Sequence, residues 1–266
     1  MESFSSLWAA NEKISREIEV SVSSHYTDQR GIPINDDWEE IVTSAFFVAL
    51  NRMKTIQFLL NPEQDHNYFM ESASLARNLW EIWLTLAWLN HHDKVEKEKR
   101  ITQFKNDSII DQDKLNQTYN EIADSEESNY VKEVKSEVKK IRENFEKQLW
   151  KMPDKFSLLK DIVDRDARYK DSRSLYYNVV YKDFSHYVHF TWRTVKEISL
   201  DNRGEEIIVF PHQSLGFKAL DVSCGFFIFI AEIWNNVFKI IPDKQFVQWS
   251  KDWLKIQGQT REAAME

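Results

Sequence analysis

Residues 75–89 read LARNLWEIWLTLAWL. Turned at the helical 100° per residue, this segment is apolar in nearly every direction. One wedge breaks the pattern: Ser74, Arg77, Asn78, Glu81 and Thr85 fall within about 100° of one another. A helix wrapped in leucine and tryptophan belongs deep in a bundle, so an arginine and a glutamate on it point to a site. By themselves they name no reaction.

The totals support a helical body around that segment. The chain has 266 residues, 42% of them hydrophobic, with 10 Trp and 17 Phe, enough for a real core and incompatible with global disorder. Only 5 Gly and 5 Pro favour helices with short connections over a sheet-rich fold. A formal net charge of -8 argues against a generic nucleic-acid coat, though a local basic surface stays open. Cys224 is the single cysteine, which excludes an intramolecular disulfide and Cys-rich zinc sites. The N-terminal MESFSSLWAANEK lacks a basic region followed by an apolar core, so no secretory signal is expected. The most apolar run, Val222 to Trp234, is about 13 residues long and contains Glu232, too short for a bilayer span. The expected setting is soluble and cytoplasmic, without a membrane, as in a bacterial intracellular protein.

All five prolines (Pro33, Pro62, Pro153, Pro211, Pro242) lie between periodic segments and punctuate the chain. A first amphipathic helix is expected over 2–24, through Phe4, Leu7, Trp8, Ile14, Ile18 and Val22. A second runs from an Asn35 or Asp36 cap to about Leu60, with AFFVAL (45–50) apolar all round and therefore central. From Asp93 to Trp150 charge of both signs rises. There Val131, Val134, Val138, Ile141, Phe145 and Leu149 keep a narrow coiled-coil-like seam. Residues 93–123 and 125–150, the second capped by Ser125, read as a projecting antiparallel helical hairpin inserted in a single 1–266 domain. Its Lys132, Lys135, Lys139 and Arg142 stripe is either a solvated face balanced by Glu133, Glu137 and Glu143 or a contact for RNA or an acidic partner. Further helices are expected over 154–164, 172–195, 215–241 and 243–257. Residues 197–210 read as a minor β-hairpin. The fold class is thus all-α, a multi-helix bundle with a charged hairpin and one small β-excursion.

The segment YYNVVYKDFSHYVHF (176–190) carries a second polar stripe. On a helical wheel Asn178, Tyr181, Ser185 and His189 share one face, while Tyr176, Val179, Val180, Tyr187 and Phe190 supply burial on the other. Lys182 and His186 flank the polar face. If the two wedges face each other, Arg77, Glu81, Tyr181, Ser185 and His189 meet across a helix–helix groove.

RNLWE (77–81) combined with YKDFSHYVH (181–189) resembles a bacterial family of unknown function, number 5677, which pairs an Arg…Glu helix with a Tyr-x3-Ser-x3-His helix. The resemblance covers roughly 40–220 and rests on these two motifs. It implies an all-helical fold and no established reaction, and singles out Arg77, Glu81, Tyr181, Ser185 and His189. A looser similarity is to the helical HEPN ribonucleases, whose signature is an arginine, four to six residues, then a histidine on one helix. This chain departs from that signature, since no arginine precedes a histidine at that spacing.

The candidate residues each have a functional reading and structural ones. Arg77 and Glu81 are a functional pair, a buried pair that sets helix register, or an ordinary surface i, i+4 pair. His189 is a general acid/base, since an imidazole titrates near neutrality, or a hydrogen-bonded core histidine. Ser185 lacks the Gly-rich elbow of a nucleophile and is read as orienting a neighbour. His91-His92-Asp93 caps the Trp-rich helix, where cationic imidazoles would suit the helix dipole. With no HExxH, no Cys cluster, no Walker loop and no GxGxxG, neither a metal nor a cofactor is expected. The leading expectation is a toxin-like or phage-defence effector acting on RNA or a nucleotide phosphodiester without metal. In it His189 is the acid/base, Arg77 stabilises phosphate charge, and Glu81, Tyr181 and Ser185 orient them. The rival is a non-enzymatic module whose polar residues form a buried network and whose 93–150 hairpin binds a protein partner or dimerises.

Overall fold

The computed structural model describes residues 2–26, 32–63, 68–123, 128–166, 169, 176–185 and 213–263. Every regular element among them is helical, and none is a strand. In chain order they are α1 (Glu2–Tyr26), α2 (Asp37–Leu59), α3 (Phe69–Leu89), α4 (Lys94–Ala123), α5 (Asn129–Asn144), a 3₁₀ turn (Lys147–Leu149), α6 (Lys155–Arg165), a π-helical segment (Tyr176–Asp183), α7 (Gln213–Phe238) and α8 (Asp243–Ala263). The expected β-hairpin at 197–210 lies outside the described residues. Among the described residues no helix is long and apolar enough to cross a membrane. The chain divides into two compact units, one of 1–86 with 162–266 and one of 87–161.

In the first unit α7 is the hub, packing on α1, α2 and α8. Leu215, Ala219, Leu220, Phe226, Phe227, Ile230 and Trp234 leave it in several directions and are all buried. Phe46 of α2 stacks on Trp234 at 4.9 Å. Such pairs add about 0.5–1.5 kcal/mol beyond area burial. AFFVAL is not central throughout, however. Phe46, Ala49 and Leu50 are buried, but Phe47 and Val48 are 41% and 45% exposed, so α2 covers the core with one face only. Asp36 is its cap, accepting the Glu39 amide at 2.8 Å, while Glu39 reaches back to the Asn35 amide at 2.7 Å.

The α1 seam of Phe4, Leu7, Ile14, Ile18 and Val22 is buried as its spacing requires, and Asn11 occupies the one polar step within it. Asn11 donates to the Leu220 carbonyl at 3.1 Å and accepts from Gln57 at 2.9 Å, tying α1 to α7 and α2. A polar group satisfied in this way favours one helix register over its neighbours.

Two backbone positions make direct predictions. Gly216 of α7 faces Phe69 and Phe4, and an added Cβ would overlap the Phe69 ring and sit 3.3 Å from Phe4. Gly216→Ala should therefore lower unfolding free energy by about 2 kcal/mol through overpacking, measured by urea denaturation. Lys239, just past α7, sits at φ 53° in the left-handed region, and Asn235 bonds both the amide and the carbonyl of Ile241 at 2.7 and 2.8 Å. Because glycine adopts that conformation without Cβ strain, Lys239→Gly should raise stability by about 1 kcal/mol. An unchanged or lower midpoint would refute the strain argument.

In the second unit α4 and α5 pair through Ile110, Val138 and Ile141, with Ile109 and Trp150 packed alongside. Val131 and Val134 continue the buried seam. The cap of α5 is Ser128, whose hydroxyl accepts the Val131 amide at 3.3 Å, rather than the expected Ser125. The helix also stops short of Trp150. Phe145 turns extended (φ -123°, ψ 145°) and is 38% exposed, so the apolar spacing through Phe145 and Leu149 does not continue as helix. The carbonyls released by that break find donors: Asn106 bonds Leu149 at 3.1 Å, Gln103 bonds Gln148 at 2.9 Å, and the Trp150 indole bonds Phe145 at 3.0 Å. Asp154 opens α6, accepting the Ser157 amide, the Ser157 hydroxyl and the Phe156 amide, which hold its carboxyl below the usual range.

Candidate functional site

The wedge on α3 has the exposure its sequence implies. Leu79, Trp80, Trp83 and Leu84 are fully buried, whereas Ser74, Arg77, Glu81 and Thr85 are half-buried and Asn78 is exposed. Glu81 accepts the Nε–H of Arg77 at 3.1 Å, with 14% of the arginine and 26% of the glutamate side chain exposed. The guanidinium carbon lies 4.7 Å from the centre of the Tyr181 ring. Trp80, fully buried, meets the same ring at 5.2 Å, and among the described residues its indole N–H has no hydrogen-bond acceptor. Among the described residues nothing hydrogen-bonds the two terminal guanidinium nitrogens of Arg77, so its orienting contacts leave the end of the fork open.

Tyr181 arrives on the π-helical segment Tyr176–Asp183, where an α-helix was expected. Its i→i+5 pattern widens the turn, and such segments occur disproportionately at functional sites. Tyr177, outside the expected polar face, stacks on Tyr181 at 5.3 Å. Lys182 places its ammonium 5.2 Å from the Tyr177 ring. The Ser185 hydroxyl donates to the Tyr181 carbonyl, so its proton is committed to the backbone that carries that tyrosine. Arg77, Glu81, Tyr181 and Ser185 are therefore connected, and His189 lies outside the described residues.

Two other features lie in the 87–161 unit. The His91 Nδ1 accepts the Asp93 amide at 3.1 Å, closing the turn between α3 and α4. Among the described residues no three His, Cys, Asp or Glu side chains are placed to hold a metal ion. Cys224 is fully buried, and burial pushes its thiol well above the usual range, leaving it inert.

The second feature is Arg100, which periodicity did not single out. Only 8% of its side chain is exposed, and it bonds Glu96 at 3.0 Å, the Trp88 carbonyl at 2.8 Å and both Asp161 oxygens at 2.8 and 3.2 Å. Every partner is internal, so Arg100 is a structural tie within the 87–161 unit. Its sequence signal is weak: a Glu96-then-Arg100 i, i+4 pair is ordinary on a charged helix.

The profile of a family of unknown function (DUF5677) matches residues 39–207. The chain belongs to that family. The DUF5677 match includes Arg77, Glu81, Tyr181, Ser185 and His189, so both polar wedges fall within the shared region. No curated protein and no solved structure matches the chain.

Proposed function

We propose that this DUF5677 protein acts on RNA or another nucleotide phosphodiester, as a cytoplasmic bacterial effector of the toxin or phage-defence kind, using arginine charge in place of a metal. One observation carries the reading: Arg77 is held through Nε by Glu81 and through its face by Tyr181, while among the described residues its two terminal nitrogens carry no hydrogen bond. A guanidinium fixed in this way is pre-organised to fork two oxygens of a phosphate.

In the proposed reaction His189, four residues beyond Ser185, takes the proton of a ribose 2′-hydroxyl. That oxygen attacks the adjacent phosphorus, and the 5′-oxygen leaves with a proton from solvent, giving a 2′,3′-cyclic phosphate and a 5′-hydroxyl. Arg77 meets the charge that develops on the non-bridging oxygens. Glu81 is a positioning residue for Arg77, as Ser185 is for Tyr181 through its bond to the backbone. The test is cleavage of labelled RNA and growth toxicity on expression, comparing wild type with Arg77→Ala and His189→Ala. Cyclic-phosphate products lost in both folded variants support the reading; cleavage that persists in both defeats it.

A further inference from the structure

Tyr177 and Tyr181 form a stacked pair with a cation against each ring, Arg77 on Tyr181 and Lys182 on Tyr177. The members differ in accessibility. Arg77 is largely enclosed and held by Glu81, whereas Lys182 is exposed on a flexible stem and Tyr177 is half-buried. We propose that Tyr177 is a base-stacking platform, and that the site therefore takes single-stranded RNA in preference to duplex. This rests on the phosphodiester reading of Arg77 and specifies the form of its substrate.

Relative magnitudes support an exchange on the Tyr177 ring. A cation over an exposed ring is worth roughly two- to five-fold in equilibrium terms. Stacking one nucleobase on an aromatic side chain is worth roughly 5- to 100-fold. An incoming base therefore displaces the Lys182 ammonium, which stays tethered beside the strand and within reach of its phosphates. The separations of 4.7 and 5.3 Å keep the Arg77 fork and the Tyr177 ring within reach of neighbouring nucleotides of one strand. In a duplex both faces of each base are already stacked, so only an unpaired base can use the platform. Glu81 offsets part of the positive charge, leaving few cations for phosphates and predicting a shallow salt dependence.

The test is fluorescence anisotropy with a labelled 2′-O-methyl oligoribonucleotide, which cannot be cut through its 2′-oxygen, alone and annealed to its complement. Wild type should bind the single strand about 10-fold more tightly than the duplex. Tyr177→Leu should remove about 10-fold of single-strand affinity while leaving duplex affinity unchanged, and Tyr177→Phe should retain it because the ring remains. Lys182→Gln, at an exposed position, should reduce the slope of log affinity against log salt by about 0.7. Equal or tighter duplex binding, an unaltered single-strand affinity in a folded Tyr177→Leu, or no binding of either probe overturns the proposal. If stacking fails in this way while Arg77→Ala still abolishes RNA cleavage, the phosphodiester reading stands alone. If Arg77→Ala also leaves cleavage intact, both fall.

Discussion

Arg100→Ala should lower the unfolding free energy of the 87–161 unit by about 3 kcal/mol, from the loss of charge-assisted hydrogen bonds of about 1.5–3 kcal/mol each, discounted for rehydration of the partners. The discount is needed because Glu96 and Asp161 are 36% and 33% exposed and recover water when the arginine goes. The Trp88 carbonyl has less recourse. It lies one residue before the end of α3, where carbonyls lack an intrahelical donor, and Trp88 itself is only 4% exposed. Arg100 supplies that donor at 2.8 Å and rests 5.1 Å from the Trp88 ring centre. Arg100→Lys should recover less than half of the loss, because a point charge cannot bridge Glu96, Trp88 and both Asp161 oxygens at once. Hydrogen exchange of the α4 amides would read the change. An Arg100→Ala loss below about 0.5 kcal/mol would show that the buried guanidinium gains no more from its partners than from water.

The contrast between Arg100 and Arg77 shows what was legible in the sequence. Arg77 stands out because its neighbours on a regular α-helix are leucine and tryptophan, so one wedge of a wheel isolates it. Arg100 sits among charges of both signs, and its decisive partners, Trp88 and Asp161, lie 12 and 61 residues away. No local period contains that information. Asn11 and Gln57, 46 residues apart, escaped for the same reason.

The tyrosine stripe was partly legible. Tyr181 meets Arg77, but the polar face drawn through Asn178, Tyr181, Ser185 and His189 left out Tyr177, an aromatic ring four residues before Tyr181 that stacks on it. The α5 seam failed at Phe145 because apolar spacing says where a helix can pack, not where it must end. There the turn before Pro153 is stabilised by Asn106 and Gln103 from α4. The all-helical class was secure because it rested on bulk features: few glycines and prolines and long stretches of 3.6-residue period.

On the proposed phosphodiester reading, Arg77→Ala should reduce RNA cleavage by about 10²–10³-fold in kcat, the usual consequence of removing one pre-organised donor from a developing oxyanion. Its effect on stability should be small. Glu81 keeps 26% of its side-chain surface in water, so loss of the i, i+4 partner should change unfolding free energy by less than about 1 kcal/mol. A large kinetic loss with a small stability loss separates a catalytic arginine from one that only sets helix register. Arg77→Lys sharpens the test. It keeps the charge but not the planar fork, so kcat should stay depressed by more than 10-fold while KM rises little. Glu81→Gln preserves an acceptor for Nε while removing the carboxylate charge, so a positioning role predicts a loss of about 10-fold in kcat, smaller than that of Arg77→Ala. The opposite pattern would decide against the site: Arg77→Ala and Glu81→Gln each destabilising by 2 kcal/mol or more with cleavage per folded molecule unchanged. In that case the pair orders α3 against the tyrosines, and its open guanidinium end is incidental to function.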